Sequence, residues 1–171
     1  GKRRSDILIF TLSFTVLFLT ADTFYKSHPI QNAWVVYHDN HNTTINFIDN
    51  GTNYILHSNP EKQDSTIEKK ARNFWMKNRI ENIIHIKDNS DLQNLIIRQP
   101  FIYFKGNKIL LLNSGYWKNK KSTYLLPIDY AIISKGFSGK LSDIAELFSI
   151  QTVILCSDLI YFKHQALQKE A

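Results

Sequence analysis

Two continuous apolar segments near the C-terminus constrain the fold more than any other part of this sequence. They are IDYAIIS, residues 128–134, and TVILC, residues 152–156, and a segment with a helical pattern separates them. Continuous apolar strands are typical of sheets covered on both faces, and two such strands joined through a helix form a parallel, right-handed crossover unit. The sequence therefore predicts an α/β domain with helices outside the sheet.

The helices of this unit are predicted from polar residues that precede each periodic segment. The first helix is expected over residues 138–148, with Ser138 or Ser142 as its N-cap. Ser157 is expected to cap a last helix over residues 158–168, since a serine hydroxyl accepts a hydrogen bond from a free N–H of the first turn.

The preceding part of the chain has the pattern of antiparallel hairpins. Strands are predicted at residues 35–38, 44–48 and 54–57, and Asn50-Gly51 forms the turn between the last two because both residues accept positive φ. A second hairpin joins FIYF to KILLLN through the turn KGN, residues 105–107. Hairpins followed by the crossover unit indicate one mixed sheet, or two.

Three further elements lie between these hairpins. A helix is predicted from Ser65, where Glu68 completes a capping box. NIIHI is a short strand, and DNSDLQNLIIRQP is expected to form a helical turn that Pro100 ends. The predicted core face of the helix comprises Ile67, Ala71, Phe74 and Trp75.

The N-terminal residues 1–25 predict a membrane helix. The uncharged stretch Ile7–Ala21 follows the basic residues Lys2, Arg3 and Arg4, and about 20 apolar residues are needed to span a bilayer. A signal peptide and a buried globular helix are the two alternatives, although no A-x-A cleavage site follows. In a spanning helix the basic flank places the N-terminus in the cytoplasm.

The predicted organisation is therefore a transmembrane helix over residues 1–25 and an extracytoplasmic α/β domain over residues 26–171. The chain starts with Gly1 and its only methionine is Met76. We expect a piece of a longer protein or a processed product, with a domain truncated at its C-terminus.

Composition excludes some classes of protein. A hydrophobic fraction of 43% is too high for a disordered chain, and a single cysteine, Cys156, excludes an internal disulfide framework. Cys156 lies in an apolar segment and is expected to be a small buried core residue. The net charge of +6 favours polyanions or an anionic membrane as partners.

Several candidate chemistries remain open. His38 and His41 form the only histidine cluster, in a loop where turn formation also explains them. Ser134 or Ser138 is a candidate nucleophile, but G-x-S-x-G is absent and helix capping explains Ser138. An anion could bind the helix start that follows the strand, where the glycines and cations are Gly136, Gly139, Lys135 and Lys140.

The loop YWKNKKSTY is a candidate nucleic-acid contact. Aromatic rings stack on bases while lysines follow the phosphates, as in proteins that bind single strands. A solvated loop whose tryptophan folds back onto the core is the alternative. The residues in question are Tyr116, Trp117, Lys118, Lys120, Lys121 and Tyr124, to which the nearby corner adds Lys135 and Lys140.

Residues 105–156 resemble the core of a metallo-β-lactamase-type domain. KILLLNSG resembles the strand that ends there in an Asp-Thr-Gly-like turn, and IDYAIISKGFSG resembles the strand that leads into the H-x-H-x-D-H metal loop. The residues present cannot hold zinc as imidazole or carboxylate does, so the resemblance implies an inherited scaffold without its metal. The four places of the metal ligands are taken by Ser134, Gly136, Ser138 and Gly139.

WVVYHDNHNTTINFI is similar to the first hairpin of the extracytoplasmic domain in the ComEC family, the membrane channel of natural competence. The family's strand often ends in Asp-Val-Gly-Gln-Gly-Asp, and only Asp39 remains here. KGNKILLLNS and IDYAIISKGFSGKLSDI are similar to a shortened, metal-free version of the domain in some ComEC-like proteins. The resemblance covers about residues 6–168.

This resemblance implies a degenerate metallo-β-lactamase-like, mixed-sheet α/β domain behind one transmembrane helix. It implies a non-catalytic C-terminal domain, with no metal or cofactor, in uptake of transforming DNA across the inner membrane. The implied partners are single-stranded DNA, the membrane, and the rest of the same channel upstream of residue 1. A membrane-tethered module that binds a protein or envelope partner is the alternative, and the oligomeric state stays open.

Overall fold

The computed structural model describes residues 2–26, 30–37, 43–57, 65–78, 80 and 82–170. Within this part, an N-terminal helix precedes a domain of ten strands and three helices. The elements are α1 (Lys2–Lys26), β1 (Asn32–Tyr37), β2 (Thr44–Asp49), β3 (Thr52–His57), α2 (Ser65–Lys77), β4 (Asn82–Ile86), β5 (Asn89–Leu92), β6 (Leu95–Arg98), β7 (Phe101–Phe104), β8 (Asn107–Leu112), β9 (Leu126–Ile133), α3 (Leu141–Ala145), β10 (Phe148–Leu155) and α4 (Tyr161–Glu170).

The strands form two mixed sheets. The first has the order β1-β2-β3-β4, and the second has the order β10-β9-β8-β7-β6-β5. Hairpin partners are antiparallel, whereas β3 and β4, β8 and β9, and β9 and β10 are parallel. The predicted mixed α/β class is confirmed, with two sheets rather than one.

The two sheets pack face to face with helices on both outer faces. Ile45 and Phe47 of the first sheet are buried with Ile102 and Phe104 of the second, and the rings of Phe47 and Phe104 lie 5.2 Å apart. Each such fully buried side chain contributes roughly 1.5–3 kcal/mol. The sheets are thus held together by the alternate residues that each strand presents inward.

The side chains on the outer face of each sheet pack against helices. Trp75 of α2 packs against Ile48 and Ile55 of the first sheet. Ile144 of α3 and Leu167 of α4 pack in one cluster on the second sheet. The order of layers is therefore helix, sheet, sheet, helix.

Helix α1 is exposed at residues 4–21 and 23, and Asp22 is partly buried. Residues Arg4–Thr23 form a 20-residue segment that is long and apolar enough to cross a membrane, and none of it is buried against the domain. This exposure contradicts the interpretation as a buried globular helix. The hydroxyls of Thr11 and Thr15 donate to the carbonyls of Ile7 and Thr11 at 3.0 and 2.8 Å, which satisfies these polar groups within the helix.

The predicted helical turn over residues 88–100 is wrong. This segment forms the hairpin β5–β6, in which Leu95 and Ile97 are buried between the sheets while Ile96 is exposed. The leucine and isoleucine spacing fits a helix as well as a strand, and antiparallel pairing of β6 with β7 selects the strand. Pro100 lies in the following turn.

The predicted helix over residues 138–148 is too long, and its caps are wrong. Helix α3 covers only Leu141–Ala145, because Phe148 already pairs with Leu126 in the parallel sheet. Lys140 is the N-cap residue, and its backbone N–H donates to Asp143 Oδ2 at 2.9 Å.

The last helix also begins later than predicted. Helix α4 starts at Tyr161, not Asp158, and Asp158 lies in the preceding turn. The carboxylate of Asp158 is occupied by contacts with other segments, described below.

The two predicted hairpin turns are confirmed. Asn50 and Gly51 have φ of 49° and 83°, and Lys105 and Gly106 have φ of 45° and 89°. The helix predicted from Ser65 is also confirmed, although its proposed cap with Glu68 lies outside the described side chains. Strand β1 begins at Asn32, earlier than predicted, and His38 lies outside the described residues.

Candidate functional site

The corner after β9, which comprises residues 134–140, is hydrogen-bonded to the end of the neighbouring strand β8. Ser134 is 1% exposed, and its backbone N–H donates to the carbonyl of Leu112 at 3.0 Å. The N–H of Phe137 donates to the carbonyl of Ser134 at 3.2 Å, and the ring of Phe137 is buried under the corner. These bonds fix the backbone of the corner within the fold.

Two glycines allow the corner and the turn after β8 to lie against each other. Gly136 has φ of +100°, and a Cβ there would collide with the carbonyl oxygen of Asn113. A Cβ at Gly115 would collide with the hydroxyl of Ser138. The turn at residues 113–115 and the corner are therefore adjacent. Both segments carry the resemblance to a metallo-β-lactamase-type domain.

The four residues that the resemblance places at the metal-ligand positions differ in their exposure. Ser134 and Gly139 are buried, whereas Gly136 and Ser138 are exposed. A hydroxyl is a weak zinc ligand and glycine has no side chain, so these residues do not supply a zinc site.

A buried carboxylate that the sequence did not single out joins three segments at this corner. Asp158 is 8% exposed; its Oδ2 accepts the hydroxyl of Thr43 at 2.7 Å and its Oδ1 accepts the N–H of Lys135 at 3.1 Å. Thr43 is 115 positions away in sequence, so only the folded chain reveals this pairing. The available signal is an acidic residue three positions after the end of β10.

Cys156 is buried beside the same carboxylate. Burial, together with the negative charge of Asp158, raises the pKa of its thiol to about 11. The thiol is therefore protonated at neutral pH, and the prediction of a buried core cysteine is confirmed.

No three metal-ligating side chains come together among the described residues. His38 and His41, the histidines singled out from the sequence, lie outside those residues. Two other histidines are paired: Nε2 of His57 lies 3.2 Å from Nδ1 of His85, and Nδ1 of His57 lies 3.2 Å from the hydroxyl of Thr44. The ring centroids are 5.4 Å apart with the planes within 15°, which fits an N–H···N hydrogen bond between imidazoles.

The loop between β8 and β9 brings part of the predicted nucleic-acid contact together. Trp117 is half-buried, and its ring lies edge-on to Phe101 and Phe148 at 6.2 and 5.2 Å. Tyr116 is 65% exposed and packs edge-on to Trp117 at 5.0 Å. The tryptophan thus anchors the loop and holds Tyr116 at the surface.

A lysine covers the exposed ring. The ammonium of Lys120 lies 3.0 Å from the ring centroid of Tyr116. A hydrogen bond with Lys120, and then its positive charge, lower the pKa of the Tyr116 phenol. Lys118 and Lys121 are exposed beside them.

The remaining predicted contacts are separate from this group. Tyr124 is 83% exposed and takes part in no ring pair within the described part of the chain. Lys135 and Lys140 are exposed on the corner, which the loop approaches at Gly115 and Ser138.

One comparison with known proteins identifies the family. The C-terminal domain of ComEC matches residues 34–171, which is most of the chain. Searches of curated proteins and of solved structures found no match. The match covers both sheets apart from the first two residues of β1, the corner, and the loop of residues 116–124, which we call the lysine loop. The exposed apolar helix that precedes the match fits a membrane-associated family. The chain therefore belongs to the ComEC family of competence-related membrane proteins.

Proposed function

We propose that this chain is a non-catalytic C-terminal part of a ComEC-like channel that takes up transforming DNA across the inner membrane. The observation that carries the proposal is the family match over residues 34–171. In this proposal α1 spans the membrane with its basic start in the cytoplasm. The domain from about residue 26 is extracytoplasmic and positions single-stranded DNA or packs against the channel.

The corner supports a role without hydrolysis. Ser134, Gly136, Ser138 and Gly139 offer no imidazole or carboxylate, and the nearby carboxylate of Asp158 is already bonded to Thr43 and Lys135. A metal-activated hydroxide needs an open coordination position on a bound ion. We propose that the corner is a structural remnant of a metallo-β-lactamase-like domain, with which the layer order helix, sheet, sheet, helix is compatible.

The lysine loop supports contact with DNA. Lys120 covers the ring of Tyr116, which packs on Trp117, and Lys118 and Lys121 are exposed in the same loop. Cations beside exposed rings contact phosphates and bases together.

Binding of a labelled oligothymidylate to the full chain in detergent micelles tests this proposal. We expect affinity to fall steeply with salt, since each neutralised phosphate of a single strand contributes roughly 0.7 to the logarithmic slope. Replacing Lys118, Lys120 and Lys121 by alanine should weaken binding and flatten this slope. Unaltered binding by the triple variant would remove the loop from the proposal.

A nuclease assay tests the non-catalytic role. We expect no cleavage of single-stranded DNA when zinc or manganese is added. Robust metal-dependent cleavage that purifies with the chain would refute this part of the proposal.

A specific surface favours the alternative of a protein-binding module. Ile160, which precedes α4, and Tyr161 and Phe162, with which it begins, are 71%, 67% and 80% exposed. Exposed apolar groups of this kind mark interaction sites. Binding of a protein partner that is lost in Phe162→Ala, with no DNA binding by the wild type, would favour that alternative.

A further inference from the structure

The outer face of the second sheet is covered by helices over one part only. Helices α3 and α4 pack on β8, β9 and β10, while the outward residues of β6 and β7 remain accessible. Ile96, Phe101 and Tyr103 are 38%, 37% and 44% exposed. A strand alternates its side chains between faces, so these residues point away from the core between the sheets.

Strand register places a cation beside each ring on this open face. Arg98 pairs with Phe101 across β6 and β7, and Tyr103 pairs with Lys108 across β7 and β8. The two rings are two residues apart on one strand, which is about 7 Å. We call this surface the sheet platform; it comprises Ile96, Arg98, Phe101, Tyr103 and Lys108.

The acidic residues near the platform leave its cations accessible. Arg98 pairs with Asp91 at 3.0 Å, but both side chains are more than half exposed, at 57% and 65%. Exposed pairs of this kind contribute little to stability, so a phosphate can replace Asp91 at Nη2 of Arg98. Nη1 of Arg98 keeps its hydrogen bonds to the carbonyls of Ser90 and Ile97 at 3.3 and 2.9 Å. Asp129 accepts the backbone N–H of Lys108 at 2.7 Å, which leaves the ammonium group of that lysine out of this bond.

The sheet platform continues into the lysine loop. A groove of about 340 Å³ lies over the platform, and a second groove of about 480 Å³ lies between residues 99–101 and 113–117. Phe101 lines both grooves. The rings of Phe101, Trp117 and Tyr116 follow one another in edge-on contacts of 6.2 and 5.0 Å.

We propose that the sheet platform, together with Tyr116 and Trp117, is a binding surface for single-stranded nucleic acid. Bases stack on the exposed rings, and Arg98, Lys108 and Lys120 contact the phosphates. This inference rests on the proposed DNA-related function and names the surface that performs it. A duplex hides its base faces, so the platform selects unpaired strands.

The arrangement of charges favours nucleic acid over a lipid surface as the occupant. Arg98 and Lys108 lie within the face, directly beside the rings, and not only along its edge. Insertion of such a face into hydrocarbon would strip water from both cations without supplying a partner. A single strand supplies phosphates at the same spacing as its bases.

Anisotropy of a fluorescein-labelled oligothymidylate, with the full chain in detergent micelles, tests the platform. Tyr103→Ala should weaken binding roughly tenfold through loss of stacking. Lys108→Ala should weaken binding and flatten the logarithmic salt slope by roughly 0.7. Phe162→Ala and Lys169→Ala, which remove an exposed ring and an exposed cation on α4, are matched controls and should bind as the wild type does. Unfolding midpoints by circular dichroism establish that each variant is folded.

The outcomes separate the platform from the function on which it rests. If Tyr103→Ala and Lys108→Ala bind normally while the triple loop variant does not, the platform is overturned and the DNA-related function stands. If the wild type binds duplex as tightly as single strand, stacking on the platform is overturned. If the wild type binds no oligonucleotide even at low salt, the platform is overturned, and so is the positioning of DNA by this domain in the proposed function.

Discussion

The corner after β9 and the loop between β8 and β9 are both irregular segments beside the same strands. Their polar groups differ in burial and in hydrogen bonding. The corner buries Asp158 and Ser134 and bonds them to other segments of the chain. The loop exposes Lys118, Lys121 and Tyr116 to solvent, with one half-buried tryptophan as its anchor. Polar groups that are satisfied internally hold a fold together, whereas exposed cations beside rings are available to a partner. We therefore expect the corner to govern the stability of the fold, whereas in the function proposed above the loop and the sheet face make the contacts with a partner.

Among the substitutions that test this comparison, Gly136→Ala should reduce the free energy of unfolding most. Gly136→Ala places a side chain at a φ of +100° and against the carbonyl of Asn113, so we expect a loss of roughly 3 kcal/mol in the free energy of unfolding. Gly51→Ala is the matched control, because it has positive φ but nothing near its Cβ position; it should cost about 1 kcal/mol. Urea denaturation measures both. Equal losses for the two variants would mean that the corner is not closely packed.

Removal of the buried carboxylate of Asp158 should have the second largest effect on the free energy of unfolding. Asp158→Ala removes an acceptor of the Thr43 hydroxyl and of the Lys135 N–H, at a cost of roughly 2–3 kcal/mol. Asp129→Ala, which removes a carboxylate that accepts one N–H at an exposed site, should cost less than about 1 kcal/mol. Similar unfolding free energies for the two variants would contradict the structural role of Asp158.

Features that depend on local sequence patterns could be predicted, whereas features that depend on contacts between distant segments could not. The parallel strands β9 and β10 and the turn at Asn50 and Gly51 follow from apolar runs and positive φ, both of which are local properties. The hairpin β5–β6 was missed because Leu92, Leu95 and Ile96 fit a helical spacing, and pairing with β7 decides between the two. The role of Asp158 was missed because one of its partners, Thr43, is 115 positions away.

The candidate site was predicted in part for the same reason. The rings and lysines of YWKNKKSTY are adjacent in sequence, so their interleaving could be read directly. The sheet platform could not, because its order of rings and cations appears only when β6, β7 and β8 pair in register.

Within the loop, the anchor and the tip should respond differently. Trp117→Ala removes the contacts with Phe101 and Phe148 and should cost about 2 kcal/mol, which is less than for a fully buried tryptophan. Tyr124→Ala, at an 83% exposed position, should change the free energy of unfolding by less than about 0.5 kcal/mol. Thermal and urea unfolding of the two variants distinguish an anchored loop from one that is uniformly loose, for which both changes would be small.

The smallest expected effect is the pH dependence contributed by Cys156. Its pKa is raised from 9.0 to about 11 in the folded chain, first by burial and then by the charge of Asp158. Between these values the unfolded chain has already lost the thiol proton that the folded chain still holds, so raising the pH destabilises the fold, by about 1 kcal/mol at pH 10. Urea unfolding at pH 8 and pH 10 should show this loss in the wild type and a smaller loss in Cys156→Ala, which lacks the thiol but titrates every other group. Because Asp158 is the second cause of the shift, Asp158→Asn should show an intermediate pH dependence. If the wild type and Cys156→Ala lose the same stability over this range, the thiol at the corner is open to water, and the corner would resemble the loop more than it differs from it.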